Sequence, residues 1–168
     1  MSSANPLRIS VADLLRRPGA TRSVDIDAPV TGLDNGVAVV GPGEPVHVGV
    51  TLERISEGIV VRGDVDVTWR AECSRCVKPI AGTISVHVDE LYEPNPLAGE
   101  TYGLDDDILD LEPMVRDAVA LELPAAPLCR DDCAGLCPRC GADHNETACD
   151  CVVDETDSRW AALRSLEI

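Results

Sequence analysis

The 168 residues are enough for one ordinary core with a small appendage, and too few for two independent cores. With no Phe, two Trp and two Tyr in a chain that is 45% hydrophobic, that core must be built from Val, Leu, Ile and Ala, which favours aliphatic strands. Thirty acidic against fourteen basic residues leave a formal charge of −16, which disfavours a broad phosphate-binding footprint and suits a basic protein partner. The opening MSSANPLRIS has no basic patch followed by an apolar stretch, and no run of about eighteen apolar residues occurs. The expectation is a cytoplasmic protein without a membrane partner.

Ser10 followed by Asp13 reads as a capping box opening a short helix with Val11, Leu14 and Leu15 on one side, ended by Pro18-Gly19. Val24 to Asp27 alternates weakly and predicts an edge strand. Pro29 to Pro45, rich in Gly and Pro, predicts irregular chain. Three strands are expected over 46–54, 58–72 and 80–91, where β-branched residues alternate with polar ones. Ser56-Glu57-Gly58 closes the first hairpin and SRCVKP the second, so Cys73 and Cys76 fall at a strand tip. His47 and His87 lie within strands, have no ligand at close spacing, and are left out of any site.

The loop EPNPLAGE and the acidic run Leu104 to Asp110 read as solvated, the run also as a docking strip for a basic partner. A helix is expected from about Leu111 to Leu123, capped by Asp110 or Glu112 with Pro113 in its first turn. Its apolar stripe of Leu111, Met114, Val115, Ala118 and Val119 would lie on the sheet, and Pro124 and Pro127 then lead to Cys129. After Cys151 a polar segment precedes a last amphipathic turn or two with Trp160, Leu163 and Leu166 on one side.

The eight cysteines form the pairs Cys73/Cys76, Cys129/Cys133, Cys137/Cys140 and Cys149/Cys151. Closely spaced thiols on tight turns suit a soft tetrahedral cation, so zinc is the expected cofactor, in two ions. The knuckle Cys137-Pro-Arg-Cys140-Gly141 and the short return to Cys149 and Cys151 favour one local site. Cys73, Cys76, Cys129 and Cys133 then make a second that closes a long loop. His144 is the substitute ligand to consider. Closed four-cysteine sites leave no position for water, and no phosphate loop, nucleophile elbow or HExxH run occurs, so no enzyme is expected.

The fold class expected is α+β: a mainly antiparallel sheet or partly open barrel, an N-terminal helix, one helix packed after the sheet and a C-terminal zinc knuckle. The expected divisions are residues 1–136 for the β-rich domain, 137–151 for the knuckle and 152–168 for the tail.

CSRC at Cys73 to Cys76, the helix EPMVRDAVALELP and PLCRDDCAGLCPRCGADHNETACDC, in that order, resemble the YceD family, the large ribosomal RNA subunit accumulation proteins. The resemblance covers most of the chain. It implies a non-enzymatic factor needed for normal levels of large-subunit rRNA, acting on a ribosomal protein or a pre-ribosomal particle. Family genes that neighbour those of phospholipid synthesis add the alternative of a regulatory adaptor for a lipid-synthesis enzyme. Direct RNA contact would need the local basic patch of Arg70, Arg75, Lys78, Arg130 and Arg139. A redox-responsive zinc-switch chaperone and a rubredoxin-like electron carrier are the rivals that the cysteine motifs allow.

Overall fold

Alternation of apolar and polar residues dictates the centre of the molecule. The computed structural model describes residues 5–151. Strand β1 is Arg8–Ser10, and the one-turn helix α1 is Ala12–Leu15. Strands β2 (Thr21–Pro29), β3 (Ala38–Val40), β4 (Pro45–Arg54), β5 (Ile59–Glu72) and β6 (Pro79–Glu93) follow. Strands β7 (Tyr102–Asp105) and β8 (Ile108–Asp110) then lead into helix α2, Glu112–Glu122. The strands join one curled, half-barrel sheet in the order β1-β8-β7-β6-β5-β4-β2, with β3 beside the far end of β5.

Register explains the core. Val48 pairs with Val65 and Val65 with Val86, so the β-branched residues of three neighbouring strands stack on the inner face. The outer face carries the intervening polar set, in which Asp27, His47, Asp66 and Ser85 form one cross-strand row. Helix α2 closes the inner face with Leu111, Met114, Val115, Val119 and Leu123, all buried. Each such buried aliphatic side chain stabilises the fold by about 1.5–3 kcal/mol. The Asp110 carboxylate accepts from the Glu112 N–H at 3.0 Å and serves the helix start, while Pro113 occupies a first-turn position that needs no N–H.

Three expectations are corrected. The N-terminal helix has no capping box: Val11 holds the N-cap position without a side-chain bond, and Ser10 belongs to β1, where its hydroxyl bonds to Asp107. A strand, β3, lies inside the stretch expected to be irregular, because Val40 and Ala38 find buried positions beside Trp69 and Ala71 of the long β5. The acidic run is a β7–β8 hairpin that turns at Asp106, φ 53°, and buries Leu104 and Leu109 behind its exposed carboxylates. Trp160, Leu163 and Leu166 lie outside the described residues.

Candidate metal centres

The β5–β6 hairpin delivers the first pair of thiols. Lys78 O accepts from the Cys73 N–H at 2.8 Å and Cys73 O from the Val77 N–H at 2.9 Å, which folds CSRCVK into a tight knuckle. The second pair arrives after α2: Asn35 holds the Leu123 carbonyl at 2.8 Å, and the Ser74 N–H bonds to Pro127 O at 2.9 Å. That seats Leu128 and Cys129 against the knuckle, where Leu128 and Ile80 pack around Cys73, Cys76 and Cys133.

The sulfurs of Cys73, Cys76, Cys129 and Cys133 lie within 4.8 Å of one another. Sulfurs bonded to zinc at about 2.3 Å stand about 3.8 Å apart in a tetrahedron. Cys73 and Cys133 are 3.8 Å apart and Cys76 and Cys129 3.6 Å, so this donor set fits the ion. Backbone N–H groups of Cys76, Arg75 and Cys129 point at the Cys73 sulfur and bring its thiol down to about 6, which favours the thiolate form that a metal binds.

Cys137, Cys140, Cys149 and Cys151 form a second group, again within 4.8 Å of one another. Its knuckle repeats the first bond for bond: the Cys137 N–H reaches Ala142 O at 2.8 Å, and the Gly141 N–H reaches Cys137 O at 2.9 Å. The N–H groups of Cys140 and Arg139 likewise bring Cys137 down to about 6. His144 stands outside both groups, its side chain exposed and its N–H on Gly135 O at 2.9 Å.

Contacts cross the boundary expected after residue 136. Lys78 of the first knuckle pairs with Asp143 at 2.8 Å and with Glu146 in the second, and just before that boundary the Leu136 N–H bonds to Arg75 O at 3.1 Å. Lys78 holds the Asp143 carboxyl well below its ordinary range, at about 2. The amide of Asn145 donates to the Cys133 sulfur at 3.5 Å, and its oxygen accepts from the Ala134 N–H at 2.8 Å. Sequence reasoning missed Lys78, Asp143 and Asn145 as linking residues. The available signal was Asp143-His144-Asn145, whose Asx turn closes with the Asn145 N–H on the Asp143 carboxylate at 2.9 Å.

The cations expected to make a basic patch are mostly engaged. Arg70 pairs with Glu44 and Arg130 with Asp132, and the Arg75 guanidinium donates to Cys133 O at 2.9 Å. Arg139 makes no ion pair among the described residues. Beside the first knuckle runs an open groove of about 630 Å³ whose lining includes the exposed side chains of Val37, Val39 and Val77. His47 and His87 stand on the outer sheet face, bonded to Asp27 and Asp64 at 3.0 Å each and remote from the thiols. Among the described residues, no helix is long and apolar enough to cross a membrane.

A family model described as "Large ribosomal RNA subunit accumulation protein YceD" matches residues 61–167. An uncharacterized protein of Mycobacterium tuberculosis (strain ATCC 25618 / H37Rv) is 35% identical over 176 residues, covering 95% of this chain and 81% of its own. Another, of Mycobacterium leprae (strain TN), is 33% identical over 147 residues, with 82% and 67% covered. The "Large ribosomal RNA subunit accumulation protein YCED homolog 1, chloroplastic" of Arabidopsis thaliana is 26% identical over 157 residues, 74% of this chain and 49% of that protein. No solved structure matches.

Proposed function

The chain belongs to the YceD family, and on that premise we propose that it is a non-enzymatic, zinc-binding factor supporting accumulation of large-subunit ribosomal RNA. The observation that carries this reading is the family match over residues 61–167, which spans both thiol groups. Cys73, Cys76, Cys129 and Cys133 hold one zinc and Cys137, Cys140, Cys149 and Cys151 the other. When bound, each ion supplies a tetrahedral cross-link with no open coordination position, a structural role rather than a hydrolytic one.

The residues of this chain divide the work. The first group clasps the β5–β6 tip to the segment after α2 and so stiffens the β-rich part, residues 1–136. The knuckle of residues 137–151 presents a surface next to it, and residues 152–168 form the tail. The factor works in the cytoplasm through contacts with a ribosomal protein or a pre-ribosomal particle. Protein contact is favoured over direct RNA contact because Arg70, Lys78 and Arg130 are paired with carboxylates, leaving few cations free to displace counterions from a phosphate backbone. The formal charge of −16 points the same way.

Deletion of the family member in a host, followed by complementation with this full chain, tests the reading. Large-subunit rRNA should fall relative to small-subunit rRNA, recover with the wild-type chain and stay low with Cys73→Ser/Cys76→Ser. An unchanged ratio on deletion, or full recovery with the cysteine variant, would overturn it. Native capture of the zinc-loaded protein should retain a ribosomal protein or particle. Retention on a naked rRNA fragment with steep inverse salt dependence would replace protein contact with RNA contact.

A further inference from the structure

A run of side-chain contacts joins the first thiol group to the loop between Cys140 and Cys149 of the second. Lys78, two residues after Cys76, grips Asp143 at 2.8 Å. Asp143 accepts the Asn145 amide N–H at 2.6 Å, and the other amide hydrogen reaches the Cys133 sulfur at 3.5 Å. Asn145 Oδ1 takes the Ala134 N–H at 2.8 Å and an Arg130 guanidinium N–H at 2.7 Å. Since the Ala134 N–H can only donate, the amide atom facing it must be oxygen, which turns the nitrogen to the sulfur. Every hydrogen-bonding position of the Asn145 amide is then in use.

Asn145 lies between Cys140 and Cys149, so its position depends on the loop that the second group closes. The sulfur it serves belongs to the first group. A hydrogen bond donated to a thiolate that ligates a metal stabilises the anion and fixes its direction. We propose that Asn145 couples the two four-cysteine sites, so that zinc in either one raises the affinity of the other. Zinc at Cys137, Cys140, Cys149 and Cys151 holds the loop in the shape that aims the amide at Cys133. Zinc on Cys133 in turn favours that shape of the loop, because coupling between two binding equilibria is reciprocal. This inference rests on the zinc reading above and adds to it that the sites load as a unit.

Competition of the full chain with a chromophoric zinc chelator measures the first site. Both Asn145→Ala and Cys137→Ser/Cys140→Ser should weaken zinc retention there by about tenfold, the low end for loss of a supporting contact to a ligand. The combined variant should lose no more than either alone, since both remove the same contact. Unchanged affinity in either variant, or losses that multiply to about a hundredfold, would overturn the proposal. Native mass spectrometry of the wild-type apo chain with one equivalent of zinc provides a readout that needs no cysteine variant. It should give mainly zinc-free and two-zinc species, with a statistical spread restored by Asn145→Ala. A wild-type statistical spread overturns the coupling and leaves the zinc reading standing. A chain that takes up no zinc overturns both.

Discussion

Val77 and Gly141 hold the same place in two copies of one knuckle. Each follows the second cysteine of a CxxC, each donates its N–H to the carbonyl of the first, and their φ angles are 61° and 73°. Glycine tolerates this left-handed conformation, whereas a β-branched side chain is strained in it.

Val77→Gly should therefore raise the stability of the metal-loaded protein. Relief of about 1–2 kcal/mol of strain exceeds the entropy cost of glycine, about 0.5–1 kcal/mol. Little burial is lost because Val77 is 52% exposed. Scanning calorimetry should show a midpoint a few degrees higher. A lower midpoint would mean that the isopropyl group contributes more in its groove than the backbone strain costs. The reverse change, Gly141→Val, should lower the midpoint.

Gly135→Ala should loosen both thiol groups. Gly135 has φ 75°, and an added Cβ would stand 3.1 Å from the Arg75 carbonyl oxygen, next to the bond that ties Arg75 to Leu136. The expected cost is about 1–3 kcal/mol in denaturant titration. Faster alkylation of Cys133 should accompany it, and an unaltered alkylation rate would separate Gly135 from the metal centres.

Removing the first site should destabilise the chain more than removing the second. Cys76 and Cys129 are 53 residues apart in sequence, and a cross-link there constrains a long stretch of the unfolded chain, including β6 and α2. Cys140 and Cys149 enclose a short loop, and Cys140 is exposed. Cys73→Ser should thus lower the thermal midpoint further than Cys140→Ser. Equal losses would show that both ions support the same cooperative unit.

On the outer sheet face, the hydrogen bond to Asp27 raises His47 above its ordinary 6.5, with Asp25 and Asp66 adding in the same direction. The bonded, protonated form favours the folded state. Its contribution is fully present below pH 6.5 and is lost as pH rises through the raised folded value. An NMR titration should place His47 above 6.5, and Asp27→Asn should move it down. An unmoved His47 in that variant would exclude Asp27 as the cause.

The central strands were legible because residues such as Val46, Val48, Val50 and Leu52 alternate without interruption, and side chains in a strand must alternate between faces. Helix α2 was legible for the same reason at its own period. The β7–β8 hairpin was not: three aspartates and Ile108 separate Leu104 from Leu109, so local composition reads as solvated while each leucine is individually buried. The capping box at Ser10 failed because Ser10 pairs with Ile108 in the sheet, and that ladder outweighs a local side-chain cap.

Spacing by itself determined that eight thiols stand in four close pairs, since two cysteines two to four residues apart on a turn must lie near one another whatever the rest of the chain does. It also marked Cys137 to Cys151 as a loop short enough to return on itself. Only the tertiary structure decided that the segment after α2 reaches the β5–β6 tip, because that meeting depends on the curl of the sheet and the path of the helix across it. It also decided that the second knuckle leans on the first through Lys78, Asp143 and Asn145. Those contacts join residues distant in sequence, and no local pattern encodes which amide will face which sulfur.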